Sequence, residues 1–235
     1  MSISSNIAEI RERIASAAAH VGRSPEEITL MAVSKIVEPA RIHEAYQAGL
    51  RLFGENRVQE FAEKSGALAE LKDAEWHLIG HLQSNKASKA AQLFHAIDSV
   101  DSLRLAEKLN QAAEQAGKVL SVLIEIKVGT EESKAGIPLG SPELEDILQA
   151  ANRLEHLQIR GLMTVPPFTA NPEGARDYVR CLRDLRDQIV RRKLPRVEMD
   201  VLSMGMSHDF EVAIEEGCTC VRVGTAIFGA RPKPA

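Results

Sequence analysis

Cysteine is scarce in this chain: Cys181, Cys218 and Cys220 are too few for a disulfide framework. Cys218 and Cys220 have same-face strand spacing, but no Cys or His stands beside them in a metal-ligand pattern, so all three are expected to be reduced, packed residues. Nor does one sign of charge dominate. The 29 basic and 33 acidic side chains give a net charge of -4, without the electrostatic footprint of a protein that binds nucleic acid or an anionic membrane. No apolar run reaches the ~18 residues of a membrane span, and Met1-Ser2-Ile3-Ser4 lacks a charged-then-apolar signal pattern, so a cytoplasmic location is expected. His77 and His81 straddle a strand end instead of sharing a helix face, which argues against a metal site. Internal repeats are missing, and no dinucleotide glycine fingerprint follows the first strand-like run.

What is present is a chain able to bury a full core. Its 235 residues are 44% hydrophobic, close in length to the ~250 residues of a typical (β/α)8 barrel, and one domain spanning 1–235 is expected. Helical periodicity and short apolar runs alternate from end to end, the pattern of an α/β fold. An extra N-terminal helix carries Ile7, Ile10, Ile14, Ala17 and Val21 on one face. Strand candidates follow at 28–34, 51–54, 76–79, 93–97, 119–126, 157–163, 197–202 and 219–223. Ser141 with Pro142, and Asn171 with Pro172, read as helix starts, while the stripe Leu105, Leu109, Ala112, Ala116 stops at Gly117. Eight strands alternating with helices suit a closed barrel or an open doubly wound sheet, and the missing glycine fingerprint favours the (β/α)8 TIM-type barrel.

In such a barrel the strand ends share one face, and the unusual polar residues fall there. Lys35 ends the first strand, Glu55 and Asn56 the second, His81, Gln83 and Asn85 follow the third, Lys127 the fifth and Thr164 the sixth. Ser203-Met204-Gly205-Met206-Ser207 is read as the end of the seventh strand and Val223-Gly224-Thr225 as the end of the eighth, together a phosphate cradle of small residues, hydroxyls and a helix start at Ser207 and Asp209. Strand alternation aims Arg222 at the same interior. A strand-end lysine, a phosphate cradle and an inward arginine point together to pyridoxal 5′-phosphate, whose aldehyde condenses with lysine as a Schiff base. Condensation at neutral pH calls for a desolvated lysine, which a barrel mouth supplies.

The chain also resembles the pyridoxal phosphate homeostasis proteins, relatives of the barrel domain of alanine racemase. The resemblance is carried by Ala32-Val33-Ser34-Lys35, Phe53-Gly54-Glu55-Asn56 with Val58-Gln59-Glu60, and Trp76-His77-Leu78-Ile79-Gly80 with Leu82-Gln83-Ser84-Asn85-Lys86. It continues through Gly161-Leu162-Met163-Thr164, Leu202-Ser203-Met204-Gly205-Met206-Ser207 and Val221-Arg222-Val223-Gly224-Thr225-Ala226-Ile227-Phe228-Gly229. It implies an alanine racemase N-terminal-domain-like barrel with Lys35 as the Schiff-base lysine and Arg222 at the ring nitrogen. Ser203, Gly224 and Thr225 are then expected on the phosphate, Asn56 beside the cofactor, and Met204 and Gly205 shaping the phosphate loop. The family often has threonine after the lysine; this chain has Ile36, which offers no hydroxyl.

The role implied is to bind, buffer and deliver the cofactor, in vitamin B6 and amino- and keto-acid balance, without robust turnover. A monomer in transient contact with apo-enzymes is expected. Arginine at the ring nitrogen weakens the electron sink, and the sequence after the eighth strand, ending at Ala235, leaves no room for the extra β domain that gives alanine racemases a second base. Two alternatives stay open: a pyridoxal phosphate-dependent racemase or related enzyme using His81, Lys134 or another loop residue as second base, and a cofactor-free Schiff-base lyase.

Overall fold

The two periods read from the sequence become a closed ring of strands sheathed by helices. A computed structural model describes residues 2–131 and 134–230. Helix α1 (Ile3–His20) starts where the Ser2 side chain accepts from the Ser5 amide, and its stripe of Ile3, Ile7, Ile10, Ile14 and Ala17 is buried; Val21 lies just past the helix and is exposed. The chain then alternates: β1 (Thr29–Val33), α2 (Pro39–Gln47), β2 (Leu52–Glu55), α3 (Val58–Lys64), β3 (Glu75–Leu78), α4 (Ala87–Leu93), β4 (Ala96–Val100), α5 (Leu103–Gln115) and β5 (Leu120–Lys127). A two-residue strand β6 (Ile137–Pro138) precedes α6 (Pro142–Ala150), β7 (Leu157–Met163), α7 (Arg176–Arg191), β8 (Val197–Met206), α8 (Phe210–Glu215), β9 (Cys220–Val223) and α9 (Thr225–Phe228). The Ser141 side chain caps α6 by accepting from the Glu143 amide, with Pro142 in the first turn, where a missing N–H costs nothing.

Among the described residues, eight strands pair in parallel around the ring, in the order β1, β2, β3, β4, β5, β7, β8, β9. The ring closes where β9 returns to β1, with Met31 opposite Arg222 and Ala32 opposite Val223. This is the (β/α)8 TIM-type barrel. β6 lies off the ring, paired with the end of β5. Three details differ from the sequence reading. The fourth strand begins at Ala96, because Leu93 ends α4 and the buried Phe94 continues the apolar run without being a strand. β8 runs on to Met206, so Ser203, Met204 and Gly205 lie inside a strand instead of in a loop. The short β6 carries no periodicity long enough to read.

Side chains alternate between an outer core facing the helices and the lumen of the ring. The outer core is apolar, with Ala32, Phe53, Leu78, Ile97, Ile124, Leu162, Leu202 and Val223 all fully or nearly fully buried. The lumen is mixed. Met31, Leu123 and Met163 fill part of it, but His77, Asp98, Glu125 and Arg222 also point there, where branched apolar residues are usual. His77 Nδ1 meets Asp98 Oδ1 at 3.1 Å; burial would lower the imidazole pKa, but the Asp98 charge and hydrogen bond override it and raise it. Glu125 Oε2 is buried without a hydrogen-bond partner among the described residues. Burial, reinforced by Asp101, pushes the Glu125 carboxyl up to about 7, against the pull of Arg222 and His81.

Gly205 has φ +83°, and a Cβ there would come within 2.7 Å of Ala213 Cβ and 3.0 Å of Phe210 Cα. Gly205→Ala should therefore cost at least about 2 kcal/mol in urea unfolding, from left-handed backbone plus overlap with α8. Gly117→Ala, at φ +65° with open space around it, should cost only about 1 kcal/mol. Equal losses would show that contact with α8 is not what demands glycine at position 205. The lumen gives a pH test. With the folded Glu125 titrating at about 7 and an ordinary glutamate at 4.5, the native state holds the extra proton between those values. Glu125 should thus make stability fall as pH rises across that window, by about 3 kcal/mol in all, and add no further slope above it. Glu125→Gln should remove this component in unfolding titrations from pH 4 to 8. A slope identical in the two proteins would contradict the buried, protonated carboxyl.

Candidate functional site

The C-terminal ends of the strands surround a cavity of about 350 Å³. β1 delivers Val33 and Lys35, the end of β2 gives Asn56, and β3 leads to Ile79. Across the mouth stand Val165 after β7, Met206, Ser207 and His208 at and after β8, Arg222 on β9, and Gly224 with Thr225 where α9 begins. Lys35, Asn56, Arg222, Gly224 and Thr225, five of the residues singled out from the sequence, thus share one space. Lys35, Gly224 and Thr225 also line a small adjoining recess with Ile36, Arg41 and Phe228. A further recess of about 250 Å³ opens from Asn56 toward His81 and Gln83.

Arg222 is 4% exposed and is fixed by two short bonds, Nη1 to Ser203 Oγ and Nη2 to the Thr164 carbonyl, each 2.6 Å. The Thr164 hydroxyl in turn donates to the Ile126 carbonyl at 2.6 Å, which anchors the acceptor to β5. Both of the arginine's bonded partners are neutral, so its charge is held in place without being cancelled by a bonded carboxylate.

The other three residues of the expected cradle lie beneath the cavity. Ser203 is fully buried and spends its hydroxyl on Arg222; Met204 is fully buried in the helix-facing core; Gly205 packs under α8. Their place at the rim is taken by Met206 and Ser207, because β8 is longer than the sequence suggested. The Met206 amide donates to Asp209 Oδ1 at 2.6 Å, which shapes this corner. Glu55 turns outward under α3, fully buried, bonded by Ser34 Oγ at 2.5 Å and Lys64 Nζ at 2.8 Å; burial still raises its pKa. His81 is exposed and held by Asp101 at 2.9 Å, and Lys134 donates to the Pro166 carbonyl at 2.9 Å.

Sequence reasoning missed Ile79, Val165 and His208 as wall residues, and Glu125 as a lumen acid. Parity with Gly54 and His77 across the β2–β3 ladder would have flagged Ile79, and alternation along β5 with Leu123 and Lys127 would have flagged Glu125. Val165 and His208 sit in loops, where no period predicts direction.

A larger cavity, about 660 Å³, opens at the opposite, N-terminal mouth and is lined by Glu75, His77, His95, Asp98, Arg160 and Asp200 among others. Size does not make it the better candidate. It contains no lysine and none of the strand-to-helix turns that offer backbone amides, whereas the smaller cavity has both and lies on the face where barrels keep their chemistry. No group of His, Cys, Asp and Glu among the described residues is arranged to hold a metal ion. No described helix is long and apolar enough to cross a membrane.

Known proteins with the same architecture share the sequence as well. Residues 5–232 match the family described as alanine racemase, N-terminal domain. The pyridoxal phosphate homeostasis protein of Aquifex aeolicus is 44% identical, with 98% of this chain and 99% of that protein covered. That of Escherichia coli K12 is also 44% identical, with 97% of each covered. The solved structure of PipY from Synechococcus elongatus PCC7942 with PLP bound superposes with a TM-score of 0.83 at 38% identity, over 97% of this chain and 100% of PipY. An alanine racemase from Streptomyces coelicolor shares the fold at a TM-score of 0.73 and 19% identity; the match spans 99% of this chain and 60% of the racemase. The chain belongs to the pyridoxal phosphate homeostasis protein family, on the barrel of the alanine racemase N-terminal domain.

Proposed function

We propose that this protein binds pyridoxal 5′-phosphate through a Schiff base at Lys35, buffers it and hands it on, without robust turnover of its own. The observation that carries the reading is the convergence of Lys35, Arg222 and the Ser207 and Gly224–Thr225 turns on one cavity. An amine, a fixed cation, hydroxyls and strand-to-helix turns are the donor set that an aldehyde, a ring nitrogen and a phosphate require. The volume of about 350 Å³ falls within the usual range for a small-molecule site. PipY, with PLP bound in its solved structure, and the same-length homeostasis proteins support the choice of ligand.

When bound, the cofactor supplies an aldehyde and an electron-withdrawing ring. Arg222, a permanent cation, disfavours a second positive charge on a ring nitrogen placed against it, which weakens the electron sink that amino-acid chemistry uses. Asn56 and Ile79 bound the cavity beside Lys35, and Ser207, Gly224 and Thr225, which line the same cavity, would take the phosphate. Of the loop residues considered as second base, His81 and Lys134 are not among the residues lining this cavity and are engaged by Asp101 and the Pro166 carbonyl. His208 also lines the cavity, its Nε2 3.0 Å from the Thr169 carbonyl oxygen; a site with one amine and a weakened sink favours storage over turnover.

Adding pyridoxal phosphate, reducing with borohydride and mapping the peptides should place a stoichiometric phosphopyridoxyl group on Lys35. Stoichiometric labelling of another lysine would refute the assignment. Pyridoxal, which lacks the phosphate, should bind at least tenfold more weakly than the phosphate ester, since two charge-assisted hydrogen bonds are worth ~1.5–3 kcal/mol each. Equal affinities in equilibrium titrations would contradict a phosphate cradle at Ser207, Gly224 and Thr225.

A further inference from the structure

Lys35 stands in a turn whose shape its own sequence does not favour. The Val37 amide closes the turn on the Ser34 carbonyl at 3.1 Å, and Ile36, at the third position, has φ +60°. Turns of this kind ordinarily place glycine or asparagine there, and a β-branched residue in the left-handed region is a true outlier. Ile36 is 63% exposed, so its own packing does little to hold it. The restraint comes from the neighbouring helix. Glu60 Oε1 accepts from the Ile36 amide at 2.6 Å, and Lys64 Nζ donates to the Ser34 carbonyl at 2.9 Å. Lys64 also bridges Glu60 at 3.0 Å and the fully buried Glu55 at 2.8 Å, and Glu55 takes the Ser34 hydroxyl. One turn of α3 therefore grips the backbone on both sides of Lys35 while the Lys35 side chain lines the cavity.

We propose that Glu60 and Lys64 are positioning residues: they hold the Lys35 turn in its strained shape so that the amine meets a ligand aldehyde at bonding distance. This rests on the Schiff-base reading of the site. In the step concerned, the neutral Lys35 amine adds to the aldehyde carbon, a C=N bond forms, and both amine hydrogens leave with the aldehyde oxygen as water. Strain stored beside a reacting group and fixed by surrounding bonds restricts the amine to productive positions, which raises the rate of addition without adding any contact to the ligand.

The test compares the unsubstituted protein with Glu60→Ala, Glu60→Gln, which keeps an acceptor for the Ile36 amide, and Glu60→Ala/Ile36→Gly, which removes the backbone penalty. Three readouts are taken: amide hydrogen exchange of the peptide containing Ile36 in the unloaded protein, the rate of covalent capture of pyridoxal phosphate, and affinity for pyridoxine 5′-phosphate, which has no aldehyde. In Glu60→Ala, exchange should quicken and capture should slow by about tenfold or more, while pyridoxine 5′-phosphate affinity changes less than about twofold. Glu60→Gln should stay near the unsubstituted protein, and Ile36→Gly should restore most of the capture rate lost in Glu60→Ala. Unchanged capture in Glu60→Ala overturns the positioning role, as does a parallel loss of affinity for the aldehyde-free ligand, which would mean general damage to the cavity. If the unsubstituted protein captures nothing at Lys35, the Schiff-base reading fails and the positioning role falls with it.

Discussion

Arg222 reaches Ser203 Oγ and the Thr164 carbonyl across the top of the lumen, and through the Thr164 hydroxyl the connection continues to the Ile126 carbonyl. A buried guanidinium must have its donors met, and here meeting them ties β9 to β8, to the end of β7 and to β5. The register of half the ring is thereby coupled to one side chain. The same guanidinium lines the candidate cavity, so the group that organises the barrel's upper half also brings a fixed cation to it. Glu125, on the lumen side of β5, is pulled downward by the Arg222 charge, but burial keeps that carboxyl up at about 7.

The cavity is consequently held from two sides by unrelated means. On the β7–β9 side, a cation is fixed by neutral oxygens inside the lumen. On the β1–β2 side, Lys35 is held from behind by ionic groups of α3 that do not enter the cavity. On the proposed reading, a ligand spanning the two would meet Arg222 with its ring nitrogen and Lys35 with its aldehyde. Neither the Arg222 bonds nor the α3 clamp adds a carboxylate or imidazole to the cavity, and the proposed reading of the site as a holder of its ligand rests on that and on the fixed cation.

Much of this was legible in the sequence because a barrel repeats two periods. All eight ring strands overlap the runs expected for them, and β7 coincides with 157–163. Lys35, Asn56 and Arg222 were legible for the same reason: each occupies a strand or strand end whose alternation settles which way it points. Where periodicity gives out, so did the reading. Phe94 is as apolar at a helix end as it would be in a strand, and Ser203-Met204-Gly205 looks like a loop although β8 continues through it. The clamp on Lys35 was invisible, since Glu60 and Lys64 lie on an ordinary charged helix and gain their role only when α3 docks behind β1. Glu125 was concealed by the apolar residues around it in β5.

The claim that this barrel carries its cofactor instead of using it is tested most directly by loading the protein with pyridoxal phosphate and mixing it with an apo-transaminase, while amino-acid turnover by the loaded protein alone is followed in parallel. The account predicts that the apo-enzyme regains the activity given by an equal amount of free cofactor, and that the loaded protein alone turns over amino acids no faster than free cofactor does. Failure to reactivate the apo-enzyme would contradict it, and so would saturable racemisation or transamination of one amino acid in the ordinary enzyme range of roughly 1–10³ s⁻¹.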